Sequence, residues 1–271
     1  MNPTAKGNNV PAMDLESILI QVTRLVRDVG DRIARVSNRK KRITYKSAVD
    51  LVTQFDRQSQ DWIVKHLINK FPGYGVLSEE KFHRNSGSRI KWIIDPLDGT
   101  TNFAHDLPIW SISIALEIER QIVLGAVYDP NRRELFTALT GRGAFLNRRP
   151  IRVSRVRELG HSLLVTGFPY DVRRSRRNNI SHFRNFCRRA QAVRRLGSAA
   201  LDLCYTACGR FDGYWELKLS PWDQAAGTLI VKEAGGQVTD FHGCRFCVYG
   251  DEVLATNGLI HRPMMKVLLE K

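Results

Sequence analysis

The stretch Trp92-Ile93-Ile94-Asp95-Pro96-Leu97-Asp98-Gly99-Thr100-Thr101-Asn102-Phe103 constrains this chain more than any other. Its apolar start reads as the end of a buried strand. Pro96 then forces a turn, because its ring fixes φ near −65° and biases Asp95 towards an extended conformation. That turn carries two carboxylates, Asp95 and Asp98, with the Leu97 carbonyl between them. Three oxygens can thus face one point, and hard cations such as Mg²⁺ take ligands of this kind, few of them from protein. Gly99 removes a side chain where a ligand can approach the backbone. Thr100 and Thr101 can open a helix whose free N–H groups face an anion. Asp-Pro and Asp-Gly pairs also serve as plain turns, so the rest of the chain has to decide.

With 271 residues the chain can bury a sizeable core, and 43% hydrophobic with 25% charged residues is ordinary for a globular protein. No apolar run approaches the roughly 20 residues that span a bilayer, so no membrane partner and a cytoplasmic location are expected. Residues 1–13 are polar, lack the apolar core of a signal peptide, and read as a flexible N-terminal tail. Five cysteines do not make a disulfide framework. Cys244 and Cys247, with His242 beside them, form a lone CxxC with too few ligands for a structural zinc. Cys204 and Cys208 lie one helical turn apart and read as small apolar packing residues.

The net charge is +15, from 42 Lys and Arg against 27 Asp and Glu, so the surface attracts anions. Between Val172 and Ala200 there is no acidic residue, while Arg173, Arg174, Arg176, Arg177, Arg184, Arg188, Arg189, Arg194 and Arg195 all occur. With His182, Phe183 and Phe186 interleaved, the segment is either a solvated helix face or a contact for RNA or an acidic protein.

Apolar spacing predicts a helix from its cap Asp14 to Val36, and a second over Asp56 to Lys70 with Trp62, Ile63, Leu67 and Ile68 on its apolar face. A short strand follows at Gly75 to Ser78, then a polar loop over 81–90. Antiparallel strands are expected at Ile109–Glu119, Ile122–Tyr128 and Glu134–Leu139. Beyond them come a strand at Leu163–Thr166, a helix over Arg177–Ala190, a helix from Gly197 through Cys208 and a strand at Phe211–Leu217. A helix from Ser220 to Ala234 has Pro221 in its first turn. Strands near Val238 and Val253–Ala255 and a final helix close the chain. Mixed helices and strand-rich blocks favour an α+β fold of stacked layers. One unit over 14–271 is expected, with subdomains meeting near residue 150.

Six acidic residues sit at the ends of apolar segments or the starts of helices: Asp50, Glu79, Glu80, Asp95, Asp98 and Asp223. Brought together, they would repel unless cations neutralised them. Four motifs then point one way. Asp50-Leu51-Val52-Thr53…Asp56, Ser78-Glu79-Glu80, the stretch 92–103, and Pro221-Trp222-Asp223…Ala226-Gly227…Glu233-Ala234-Gly235-Gly236 occur in order. Together they resemble the inositol monophosphatase family of metal-dependent, lithium-sensitive phosphatases, with Ser78 replacing the family's Gly. Three segments, Tyr128–Thr137, Thr166–Pro169 and Arg195–Leu203, resemble its bacterial, SuhB-like branch.

The resemblance implies a layered αβαβα sandwich and an Mg²⁺-dependent phosphomonoesterase acting on myo-inositol monophosphate or a related polyol or sugar phosphate by direct attack of activated water. It implies Glu79, Asp95 and the Leu97 carbonyl as ligands of a first Mg²⁺, and Asp95, Asp98 and Asp223 as ligands of a second. A third, weaker ion would touch Glu79. Thr100, hydrogen-bonded to Asp50, would orient the water, with Glu80 behind the ligands. Asp98, Gly99, Thr100, Thr101, Gly197, Ser198, Ala199, Glu216 and Asp223 would bind substrate, Glu216 through its hydroxyls. A homodimer is implied. The alternatives are a SuhB-like role in ribosomal RNA transcription, through RNA or RNA polymerase at Arg173–Arg195, or a relative's substrate such as fructose 1,6-bisphosphate, NADP or histidinol phosphate.

Overall fold

The structure, a computed structural model, describes residues 14–37, 41–45, 51–85 and 87–270. Helix α1 (Leu15–Val36) starts where Asp14 accepts a hydrogen bond from the Ser17 amide, and it buries Ile18, Val22, Leu25, Val26, Val29 and Ile33. Their spacing of three and four residues makes one apolar stripe. The antiparallel pair β1 (Ile43–Tyr45) and β2 (Leu51–Thr53) leads into α2 (Gln54–Lys70). This helix begins two residues before the expected Asp56. Thr53 caps it, accepting from the Phe55 amide while Asp56 accepts from the Thr53 amide. Trp62 departs from the expected apolar face: it lies at the surface under the Arg32 guanidinium, and Val64 is buried beside Ile63 and Leu67.

Next come β3 (Gly75–Ser78), β4 (His83–Arg84), β5 (Ile90–Asp98) and the short α3 (Thr100–Ala104). The expected loop over 81–90 therefore contains a strand, too short to show a period. Strands β6 (Ser111–Ile118), β7 (Gln121–Asp129), β8 (Glu134–Leu139), β9 (Ala144–Leu146) and β10 (Arg149–Pro150) follow. Strands β3 to β10 form one sheet in the order β10-β9-β8-β7-β6-β5-β3-β4, with only β3 and β5 parallel.

The remaining elements are β11 (Leu163–Thr166), α4 (Ile180–Cys187), β12 (Ala192–Arg194), α5 (Ala199–Ala207), β13 (Gly213–Leu217), α6 (Pro221–Glu233), β14 (Gln237–Thr239), β15 (Glu252–Thr256) and α7 (His261–Leu269). Their strands make a second sheet, β12-β11-β13-β15-β14. Helix α4 is shorter than the expected Arg177–Ala190. Asn179, at φ +72°, breaks the chain before it. The Asn179 side chain is buried, donating to the Gly167 carbonyl and accepting from the Trp215 indole.

Three apolar cores separate five layers. Helices α1 and α2 cover one face of the large sheet, where Trp92 and Ile94 meet Val26 and Leu67. Helices α5 and α6 lie between the sheets, where Ile93 and Val127 meet Leu203, Ile230 and Val253. Helices α4 and α7 cover the far face of the second sheet, against Trp215 and Leu254. Successive residues of β5 thus enter different cores, which is why a strand buried on both faces is a continuous apolar run. The result is the layered αβαβα sandwich.

Candidate active site

The end of β5 supplies the first acids. Its pairing with β6 slips between Asp95 and Asp98, opposite Ser113 and Ser111 respectively. One extra residue on β5 makes a bulge between Asp95 and Asp98, and a bulge re-aims side chains. The Leu97 amide donates to Asp95 Oδ1 at 3.0 Å and closes the turn. Gly99 follows at φ +95°, where a Cβ would stand 2.9 Å from the Ile109 carbonyl oxygen. A side chain there meets both the backbone conformation and a fixed carbonyl, so glycine is required.

Strand β3 lies parallel to β5 and delivers Glu79 and Glu80 beside this turn; the Glu79 amide donates to the Ile94 carbonyl at 3.3 Å. Ser78 is fully buried in β3 itself, and its hydroxyl donates to Gln60 Oε1 at 2.7 Å. Gln60 in turn donates to the Glu80 carbonyl at 3.3 Å, which ties the acidic turn to α2. Asp223 comes from the first turn of α6, accepting from the Ser220 amide at 2.7 Å. Ser198 caps α5, and its hydroxyl donates to Asp98 Oδ2, as does the Ala200 amide at 2.9 Å.

These acids sense one another. Burial first, then the charges of Glu79, Asp98 and Asp223, hold Asp95 well above the usual carboxylate range. Burial followed by Glu79 and Asp98 does the same to Asp223. Burial raises Asp98 to about 6, against the lowering effect of its bonds to Ser198, Ala200 and Ala199. Glu79 and Asp95 share a hydrogen bond that requires a proton on one of them. Among the described residues no three His, Cys, Asp or Glu side chains stand as an assembled metal shell. In donor type the group nonetheless fits a hard divalent cation: its donors are all oxygens, buried or half-buried, and mutually repulsive without positive charge.

Asp50 lies outside the described residues. The carboxylate that Thr100 meets is Asp56, at 2.8 Å from Oγ1, with the Leu97 carbonyl at 3.0 Å as the other acceptor. Asp56 is 0% exposed and also accepts from the Thr53 amide and hydroxyl, so α2 fixes the threonine. The sequence marks Asp56 only as a helix start; its place in the Asp50…Asp56 motif is the signal that was there to use.

A cavity of ≈ 130 Å³ opens in front of the cluster. Asp98, Gly99, Thr100, Thr101, Gly197, Ser198, Ala199, Glu216 and Asp223 all line it, while Glu79, Asp95 and Leu97 do not. Glu216 projects from β13, accepts from the Tyr214 hydroxyl at 2.7 Å, and is raised by burial to about 7. Its carboxylate occupies the space that a side chain on Gly167 would need. Asp202 and Arg195 are unforeseen members of this wall, and Tyr214 supports it from behind through its bond to Glu216. A larger groove, ≈ 850 Å³ beside Arg35 and Trp62, has no carboxylate in its lining among the described residues.

Five layers, with buried acids at the end of β5 and half-buried ones after β3 and at the start of α6, describe a class of phosphatase, and comparison with known proteins gives that class. The chain belongs to the inositol monophosphatase family, which it matches over residues 14–271, and it is a phosphatase enzyme. It is 44% identical over 257 residues to an inositol-1-monophosphatase from Synechocystis sp., covering 94% of this chain and 90% of the relative. It is also 44% identical over 223 residues to the Nus factor SuhB of Pasteurella multocida, covering 81% and 84%. Among solved structures, the inositol monophosphatase from Anabaena (Nostoc) sp. PCC 7120 matches with a TM-score of 0.86 at 40% identity, covering 95% of this chain and 97% of that one.

Proposed function

We propose that the protein hydrolyses the phosphate monoester of inositol or a related polyol and requires Mg²⁺. One observation carries the reading: a single cavity has metal-type carboxylates, Asp98 and Asp223, and the buried hydroxyl acceptor Glu216 in its wall. Glu79, Asp95 and the Leu97 carbonyl hold one ion, Asp95, Asp98 and Asp223 a second, and Glu79 touches a weaker third. When bound, the ions supply positive charge to the phosphoryl oxygens and the leaving oxygen. Thr100, fixed by Asp56 and assisted by Asp50, orients the attacking water. The N–H groups of Gly99 to Thr101 face the phosphoryl oxygens, where preset donors stabilise developing charge. Glu216 accepts from substrate hydroxyls, and the neighbouring N-terminus of α5 keeps Asp98 ionised. A cytoplasmic, lithium-sensitive homodimer goes with this reading. Fructose 1,6-bisphosphate, NADP and histidinol phosphate are the competing substrates.

The test is phosphate release from a panel of inositol, sugar and aryl phosphates, with and without Mg²⁺, beside Asp98→Asn. Release that depends on Mg²⁺, is strongest on inositol monophosphate, and falls at least about a thousandfold in the variant is expected. Near-normal turnover by Asp98→Asn would remove the two-ion assignment.

A second reading, contact with RNA of the transcription machinery, is supported by the surface between Arg173 and Arg195. Arg177 pairs with Asp251 and Glu252, and Arg189 with Glu270. Arg173, Arg174, Arg176, Arg184 and Arg188 are exposed. The interleaved aromatics do not help: Phe186 is buried against Trp215, and Phe183 and His182 pack on Phe168 and Phe241. Binding would therefore be electrostatic, with an affinity for single-stranded RNA that falls with a log–log salt slope of about −0.7 per phosphate engaged. Filter binding at rising salt checks this; an affinity unmoved by salt, or none at low salt, would end it.

A further inference from the structure

We propose that Asp202 is a second hydroxyl-reading residue of the cavity, working with Glu216, so that the enzyme recognises its polyol at two hydroxyls and not one. The inference rests on the polyol phosphatase reading above and deepens it.

Asp202 projects from the first turn of α5 and lines the same cavity as Glu216. It is 1% exposed, and its Oδ1 finds no hydrogen-bond donor among the described residues. Buried carboxyl oxygens are almost always paired, so an idle one in the wall of a substrate cavity asks for a donor from the ligand. Capping does not account for it, because Ser198 already caps this helix. Nor does the positive end of the helix dipole, which rewards a charged side chain. Burial and the nearby charges of Glu216 and Asp98 push the Asp202 carboxyl well above the usual range, which favours its protonated form. In either form it keeps an acceptor oxygen, and when protonated it also has one O–H to donate. It therefore stands beside Glu216 as a second group that a substrate hydroxyl can meet. Glu216 is already bonded to Tyr214, and Gly167 leaves no side chain between Glu216 and the cavity. Two carboxyl groups in one wall can then engage two hydroxyls of one substrate and turn away esters that carry none.

The experiment measures kcat and KM for myo-inositol 1-phosphate and 4-nitrophenyl phosphate, with Mg²⁺ present, for the wild type, Asp202→Ala and Asp202→Asn. Asp202→Ala is expected to raise KM for the inositol ester about tenfold more than for the aryl ester, with kcat moved far less than KM. Asp202→Asn, which keeps a donor and an acceptor, is expected to recover most of that loss. Thermal melts of both variants report folding, and Asp202→Asn keeps the comparison open if Asp202→Ala melts early. Equal losses on the two esters, or no change in KM, would overturn the inference and leave Asp202 a packing residue. A wild type active on aryl but not inositol esters would overturn the polyol reading itself, and this inference with it.

Discussion

Glu216 shows what the site costs and what it gains. It is buried in the cavity wall, and that burial pushes its carboxyl from the ordinary 4.5 up to about 7. Its folded pKa is raised, so its contribution to stability is complete below about 4.5 and is lost as pH rises through about 7. A shift of that size corresponds to roughly 3 kcal/mol, as an order of magnitude. Glu216→Gln should therefore be more stable than the wild type at pH 8 by an amount of that order, and the gap should close towards pH 4. Urea titrations at the two pH values measure it; a pH-independent difference would mean that the charge is not what burial opposes. The same variant should bind inositol esters less well, since the amide offers one acceptor where the carboxylate offers two. At this scale the sequence was most informative where motifs are dense: Asp95, Asp98 and Asp223 stand out from local pattern alone. Asp202 does not, because nothing local distinguishes an acid in a cavity wall from one at an ordinary helix start.

Among the elements, α6 matters most, since Asp223 rides on its first turn while its other faces pack on both sheets. Gly125 in β7 lets it lie close: a Cβ there would stand 2.9 Å from the Ala226 carbonyl oxygen and 3.0 Å from its Cα. Both are backbone atoms, so the helix itself must move. Gly125→Ala should cost about 1–3 kcal/mol of stability and lower kcat through displacement of Asp223. Gly73→Ala, with nothing within 4 Å of its added Cβ, is the control. Equal behaviour of the two variants in urea and in turnover would show that α6 has slack. The long elements were legible because period and caps agree: Asp14 opens α1, and Pro221 opens α6. The short ones were not. Strands β4, β9, β10 and β12 have three residues or fewer, fewer than a period-two pattern needs to show. The start of α2 was misplaced because Thr53 and Asp56 cap it jointly.

At the scale of the whole molecule, the sequence signalled that acids end several segments but not that those ends meet. Convergence depends on the parallel pairing of β3 with β5 and on α6 crossing between sheets, contacts between residues far apart in the chain; the family resemblance supplied it instead. The assembled charges should make stability depend on cations. With Asp95, Asp98 and Asp223 all raised, the stability they contribute to metal-free protein is present below about pH 4 and lost as pH climbs through about 6 and beyond. Chelation should lower the melting temperature at pH 7.5, and Mg²⁺ should restore it, since a ligand of the folded state stabilises it. The restoration should shrink at pH 5, where protons replace the cation. Calorimetry with and without Mg²⁺ at both pH values checks this; an Mg²⁺ effect as large at pH 5 as at 7.5 would count against the acids as its origin.

The placement of α5 and α6 also bears on how such an enzyme can diversify. Asp223 and the α5 cap on Asp98 are anchored in a central layer pressed from both sides, where a changed side chain disturbs two sheets at once. Tyr170, at the cavity rim and 60% exposed, is under no such pressure. New substrate preferences should therefore arise by exchange at that rim, while the reaction is handed down unaltered.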